Sequence, residues 1–299
     1  MMIRQASNDV IDGADPTTGA LVTGGTGKTG RELVRLLRGG GVPVRVASRN
    51  PAADDPDAVR FDWDDPATHA AALDGQDRVF LVPPGRSGDP MPAVGPFLAE
   101  ARRLGVRRVV LLGSAISLAP RASELAAEVR AQPGWVVLRP SGFMQNFLSP
   151  HPMGERIRRD GEIRTAAGDG GVGWIDARDI AATAAALLAD LDAAPGDQRD
   201  YLLTGPQALS FPEAAAIITA GIGRPVQVIH ISADQQAANL QAAGIPAHFA
   251  AILAAADASV RAGREDELST AVLDLTGRPP RTFTEFVQEH AARWAQSAA

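Results

Sequence analysis

The sequence predicts an α/β protein: a doubly wound parallel sheet of the Rossmann type, with a smaller α/β C-terminal lobe. Three observations predict it. A strand, a glycine turn and a helix follow one another at 20–41. Short apolar runs then alternate with helical segments as far as residue 140, and beyond that point the periodicity breaks down into glycine, proline and aromatic residues.

Each element has its own warrant. The apolar run at 20–22 reads as a buried strand; Gly24, Gly27 and Gly30 follow at three-residue spacing, and Leu33, Val34, Leu36 and Leu37 repeat with helical spacing. Gly39, Gly40 and Gly41 stop that helix, and 42–47 is a second strand. A third strand ends at Phe61-Asp62-Trp63, after which Asp65 caps a short helix with Pro66 at its first position. Residues 78–82 form a fourth strand broken by Pro83-Pro84, 94–104 a helix, and 107–112 a fifth strand closing with Gly113-Ser114. A helix at 123–131, a Pro133-Gly134 turn and a sixth strand at 135–138 complete the repeat. Residues 141–175 read as a substrate-facing loop region. Asp176 caps a long alanine-rich helix, 200–203 and 226–231 are strands, and Ser210/Glu213, Ser232/Gln235 and Thr282/Glu285 have capping-box spacing. The expected organisation is a flexible tail at 1–19, a nucleotide-binding domain at 20–150 and a mainly substrate-binding lobe at 151–299, with 174–204 returning to the Rossmann core.

Composition excludes several classes. The chain has 299 residues, 45% of them hydrophobic, enough for a large core. A net charge of −6 without a basic cluster argues against nucleic acid and anionic membrane as partners. The absence of cysteine removes disulfides, thiolate metal sites and cysteine nucleophiles. No apolar run reaches membrane-spanning length. A cytoplasmic monomer or homodimer acting on a small molecule, without a metal, is expected.

The glycine turn lets backbone approach a pyrophosphate lying on a helix N-terminus. Gly27-Lys28-Thr29 also matches the end of a P-loop, but that motif requires glycine at position 22, which is Val. Nineteen residues past Gly30, where an NAD-binding chain places Asp or Glu for the ribose hydroxyl, stands Arg49, and no carboxylate lies between Val42 and Arg49. A guanidinium there favours a 2′-phosphate, which points to NADP(H).

The runs Val22-Thr23-Gly24-Gly25-Thr26-Gly27-Lys28-Thr29-Gly30, Ser48-Arg49-Asn50-Pro51, Leu138-Arg139-Pro140-Ser141-Gly142-Phe143-Met144-Gln145-Asn146-Phe147 and Trp174-Ile175-Asp176-Ala177-Arg178-Asp179 resemble the NmrA-like branch of atypical short-chain dehydrogenases, as does Leu275-Thr276-Gly277-Arg278-Pro279-Pro280-Arg281. That branch contains NAD(P)H-dependent quinone, dye and imine reductases as well as redox-sensing regulators without catalysis. The resemblance implies that Gly24, Thr26, Gly27, Lys28 and Gly30 surround the pyrophosphate, with Arg49 on the 2′-phosphate, and that Thr29 and Ser48 also bind the cofactor. It implies too that Asp62 and Trp63 border the adenine, Pro83 and Pro84 the ribose, and Ser114, Pro140 and Phe143 the nicotinamide.

Ordinary short-chain dehydrogenases protonate the substrate oxygen with a Tyr whose pKa is lowered by a Lys four residues later. The single tyrosine is Tyr201 and position 205 is glycine; the single lysine is Lys28, inside the glycine turn. That pair does not exist here. Hydride transfer is then expected to suit an acceptor that needs little proton donation: a quinone, an imine or iminium, or a conjugated enone. His151, between Pro150 and Pro152, is the candidate acid or relay, with Ser114 a second candidate. Phe143, Met144, Asn146, Phe147 and Trp174 are the candidate walls of a substrate pocket. A non-catalytic NADP(H)-sensing regulator and a non-redox accessory enzyme of secondary metabolism are the alternatives.

Overall fold

The computed structural model describes residues 18–51, 53–84, 89–115, 122–191 and 199–295, so most of the expected N-terminal tail lies outside the described residues. Seven parallel strands form the main sheet: β1 (Gly19–Val22), β2 (Val44–Ser48), β3 (Ala58–Arg60), β4 (Gln76–Leu81), β5 (Arg108–Leu112), β6 (Val136–Pro140) and, after an excursion, β8 (Asp200–Leu203). Their spatial order is β3-β2-β1-β4-β5-β6-β8. The order reverses between β2–β1 and β4, and the crevice beyond the strand C-termini at such a point is where ligands bind.

The strands are apolar on both faces because helices cover both. Ala20, Val22, Phe80, Val110, Val136 and Leu138 pack under α1 (Gly30–Gly39) and α6 (Ala177–Ala189), with Ala271 and Val272 of α10 (Ala271–Thr276). The alternate residues Leu21, Val79, Leu81, Val109, Leu111 and Val137 pack against α2 (Ala67–Leu73), α3 (Met91–Arg103) and α4 (Ala122–Arg130). Sheets buried on both faces read as continuous apolar runs, which is why the strand expectations hold to within a few residues.

Two expectations shift, one for a local reason and one for a tertiary one. β3 ends at Arg60, short of Asp62, because the Asp62 carbonyl faces the His69 ring at 3.1 Å and the Asp62 N–H donates to the Thr68 hydroxyl at 3.0 Å. The chain is thereby turned away from the ladder. The segment 141–175, read as loop, contains a 3-10 turn (Met144–Phe147), α5 (Pro152–Asp160) and β7 (Glu162–Thr165). Tertiary contact decides these: a Cβ on Gly154 would stand 2.1 Å from the Leu148 carbonyl carbon, so α5 forms where it docks.

β7 pairs in parallel with β9 (Gln227–His230), making a small second sheet. α7 (Phe211–Ile222), α8 (Ala233–Ala242), α9 (Ala247–Arg261) and α11 (Phe283–His290) complete the C-terminal lobe. Its core gathers Phe147, Trp174, Phe211, Phe283 and Phe286. All three expected capping boxes are present, starting α7, α8 and α11. Replacing Ser210 with Ala removes one reciprocal box. It is expected to lower the unfolding free energy by about 1 kcal/mol, read as a lower urea midpoint at unchanged slope.

Candidate active site

The site begins at the turn between β1 and α1. Gly24 has φ +64°, open to glycine without strain. A Cβ on Gly30 would lie 2.2 Å from the Gly24 carbonyl oxygen, so only glycine lets the first turn of α1 sit on the strand end. Thr29, at the N-cap of α1, makes no side-chain cap bond, and its buried hydroxyl has no partner among the described residues. A helix N-terminus without a cap, beside an orphaned hydroxyl and a glycine-lined approach, fits a phosphate group. On the β4 side the Thr23 hydroxyl donates to the Phe80 carbonyl at 3.1 Å and accepts from the Val82 N–H at 2.7 Å, aligning the two strand ends.

Lys28 turns away from this cradle. Its Nζ donates to Asn146 Oδ1 at 2.9 Å, joining the glycine turn to the 3-10 turn after β6. The 3-10 turn is held by its neighbours: Ser141 donates to the Gly173 carbonyl, the Met144 N–H to Ile175 at 2.9 Å and the Ile175 N–H to Gly142 at 2.8 Å. Gly142 lies flat under the Trp174 indole, where a Cβ would meet the ring at 2.4 Å. Asn146, His151, Trp174, Phe211, Leu240 and Val260 line a cavity of about 250 Å³ between this layer and α8–α9. Its walls are mainly apolar, and Arg156, Arg164 and Asp257 are its charged groups.

His151 is the N-cap of α5, its Nδ1 accepting from the Met153 N–H at 3.3 Å. Burial first, and then the nearby Lys28 charge, push its pKa down to about 4, against a hydrogen bond to the Asn146 carbonyl that raises it. The imidazole is therefore neutral at neutral pH, with Nδ1 as acceptor and the proton on Nε2, and carries no ready proton. Burial likewise lowers the Lys28 ammonium and raises the Asp257 carboxyl, which accepts from the Ala166 N–H at 2.8 Å.

The other expected positions separate. Phe143 is half-buried against the sheet core, and Met144 and Phe147 are fully buried, outside the cavity lining. This corrects the expected pocket wall: of the 142–147 segment only Gly142 and Asn146 reach the cavity, because the 3-10 turn rotates the apolar side chains into the lobe core. Ser114 and Pro83 line a second cavity of about 330 Å³ with Arg139 and Asp200, separate from the one that His151 lines. Pro140 is buried in β6 and Pro84 is half-buried beyond β4. Asp62 and Trp63 flank the turn after β3, where Trp63 packs on Phe61 and Phe97. Ser48, at the end of β2, accepts from the Asn50 N–H at 3.2 Å, and Arg49 beside it is exposed. Tyr201 lies in β8, 7% exposed, in the sheet core.

Residues 24–191, more than half of the chain, match the NAD(P)H-binding domain family. The chain belongs to that family. An oxidoreductase of Bacillus subtilis, YesF, whose own function is uncharacterised, is 41% identical over 92% of this chain and 96% of its own length. Agroclavine dehydrogenase of Claviceps fusiformis is 36% identical over 92% and 98%, and the NAD(P)H azoreductase of Xenophilus azovorans 35% over 91% and 98%. Among solved structures, the NADPH-dependent quinone oxidoreductase of Escherichia coli in complex with NADPH superposes with TM-score 0.77 at 24% identity, over 90% of this chain and 99% of that one. The protein is thus an NAD(P)H-dependent oxidoreductase, of the NmrA-like, atypical short-chain dehydrogenase kind that its motifs resemble.

Three arginines of α1 stand beside the glycine turn. Arg31, Arg35 and Arg38 of α1 line a cleft with Gly25, Thr26 and Val46. Their spacing places them on one helix face, a signal that was legible beside the glycine turn. Among the described residues no helix is long and apolar enough to cross a membrane, and no group of three His, Asp or Glu side chains is placed to hold a metal.

His151 gives a pH prediction. Folded, it titrates near 4; unfolded, near the ordinary 6.5. The unfolded chain takes up the proton first, so this contribution is whole above about pH 6.5 and is lost as pH falls towards 4. His151→Asn keeps an N-cap acceptor and removes the titration. The variant is expected to lose up to ~3 kcal/mol less stability than the parent between pH 7 and 4. Urea unfolding at several pH values checks it; parallel pH profiles would exclude a buried neutral His151.

Proposed function

We propose that the protein is an NADPH-dependent reductase of a small, apolar or aromatic acceptor, in the class of quinones, imines or iminium ions and conjugated enones, acting without the Tyr-Lys pair. The observation that carries this reading is the apolar cavity beside the glycine turn, joined to it by the Lys28–Asn146 hydrogen bond. The relatives support it through their printed activities, an azoreductase and a clavine dehydrogenase among them.

The chain's own residues have distinct tasks in this reading. The α1 N-terminus, with Thr29 and the glycines, holds the pyrophosphate. Arg49, assisted by the α1 arginines, holds the 2′-phosphate through charged hydrogen bonds. Bound NADPH supplies the hydride. Trp174 and Phe211, locked edge-to-face with centroids 5.2 Å apart, give a flat acceptor a fixed wall. Trp174 is itself held by its Nε1–H donating to the Leu209 carbonyl at 2.9 Å. Enclosure by α8 and α9 excludes water from the reacting carbon.

Two experiments test the reading. NADPH consumption against a panel of quinones, imines and enones should exceed the rate without acceptor; a flat response across the panel, with NADPH bound, would favour a cofactor-sensing regulator. Arg49→Ala is expected to remove about 1.5–3 kcal/mol of preference for NADPH over NADH, the strength of a hydrogen bond to a charged group. Titration calorimetry with both cofactors reads it, and equal affinities in the parent protein would refute the 2′-phosphate assignment.

Tyr201→Phe is expected to leave turnover unchanged, since the side chain is in the sheet core. A hundredfold loss of kcat, the scale of a lost general acid, would overturn that placement.

A further inference from the structure

We propose that Lys28 is the proton donor of this enzyme, delivering a proton from its ammonium to the oxygen of a quinone or enone seated beside Asn146. This rests on the reductase reading above and changes one part of it: the acceptor is one whose oxygen gains charge.

Four observations converge on Lys28. It is the chain's only lysine. It stands in the phosphate-binding turn, yet its Nζ is directed to Asn146 Oδ1, 2.9 Å away, across the gap to the cavity layer. Asn146 lines that cavity and Lys28 stands behind it, so an oxygen lodged against the Asn146 amide would be one side chain away from Nζ, which has N–H bonds left to donate. Among the described residues the ammonium forms no ion pair, and burial lowers its pKa, bringing it towards the range in which an amine exchanges protons at neutral pH. The expected alternative, His151, is the weaker donor: its Nδ1 accepts from the Met153 N–H, and with its pKa held near 4 the ring is neutral at neutral pH.

The step balances. Hydride addition at carbon moves an electron pair onto the acceptor oxygen. One N–H bond of Lys28 breaks, an O–H bond forms on the product, and Nζ remains as a neutral amine that regains its proton from water. Asn146 is the positioning residue, accepting from Nζ before and after transfer. The titratable and charged groups lining the cavity beside Asn146 are His151 ahead of α5, whose imidazole feels the Lys28 charge, Arg156 of α5, Arg164 of β7 and Asp257 of α9. His151 stays neutral, and Asp257 is the one carboxyl among the charged groups lining the cavity.

A single lysine makes the test direct. Protein free of any tag lysine, labelled at lysine Cε, yields one carbon resonance, and its titration reports the Lys28 pKa without assignment. A value below that of free lysine is expected, shifting again in Asn146→Leu; an ordinary lysine value, unmoved in that variant, overturns the proposal. Lys28→Met and Lys28→Arg are then compared. Arginine keeps the charge but does not release a proton. Both variants are expected to lose about a hundredfold in kcat while NADPH affinity by calorimetry stays within threefold. If Lys28→Arg restores parental kcat, or if the loss lies in NADPH affinity, Lys28 serves the cofactor phosphates and the proposal fails. A parent protein that binds NADPH but consumes none with any acceptor would defeat the reductase reading itself. A normal lysine titration in an active enzyme defeats the proton donor alone.

Discussion

The rest of the molecule depends on a backbone contact with no side chain in it, Gly30 set against the Gly24 carbonyl. A Cβ at Gly30 would penetrate that oxygen, and another at Gly25 would strike Val46 at 2.6 Å. Because nothing intervenes, α1 starts directly over the end of β1, its uncapped N-terminus facing the crevice where the strand order reverses. The direction of α1 sets its packing on α6, through Leu33, Val34 and Leu37 against Ile180, Ala181 and Ala184. α6 in turn carries the C-terminal lobe.

That linkage is electrostatic as well as apolar. Asp176, with no exposed surface, caps α6, pairs with Arg178 and accepts from the Gln145 amide at 2.9 Å. Burial alone would raise its carboxyl; the hydrogen bonds from Arg178 and Gln145 outweigh that and hold it below the usual carboxylate range. Arg178 also reaches Glu289 of α11, and Asp179 pairs with Arg281 ahead of the same helix. Single carboxylates thus tie the turn that presents Asn146 to the helix that closes the lobe. At the other end of α6, the buried Arg78 and Arg108 donate to the Leu188 and Leu187 carbonyls at 2.8 and 2.9 Å. Cations there complement the helix dipole and satisfy its orphan acceptors.

Over this frame the site is built from two segments far apart in sequence. Residues 141–146 and 172–176 run side by side, stacked through Gly142 on Trp174. The stack leaves one polar side chain of the 3-10 turn, Asn146, facing both the cavity and Lys28. In the proposed reading, this mainly apolar chamber, with the Asn146 amide on the side of the phosphate cradle, orients a flat acceptor.

By itself the sequence determined the doubly wound half, because its signals are local. Glycine spacing, two-sided apolar strands and reciprocal caps at Ser210, Ser232 and Thr282 each act within a few residues, and each recurs in the structure. It also excluded the Tyr-Lys pair by composition alone. Tertiary structure decided what the site residues do. α5 and β7 form because Gly154 docks on Leu148 and β7 finds β9, contacts that no local pattern encodes. The same long-range packing turned Met144 and Phe147 inward, made His151 a neutral helix cap, and aimed Lys28 across 118 residues of chain at Asn146. Direction and desolvation of a side chain are properties of its neighbours in space, and only the folded chain supplies them.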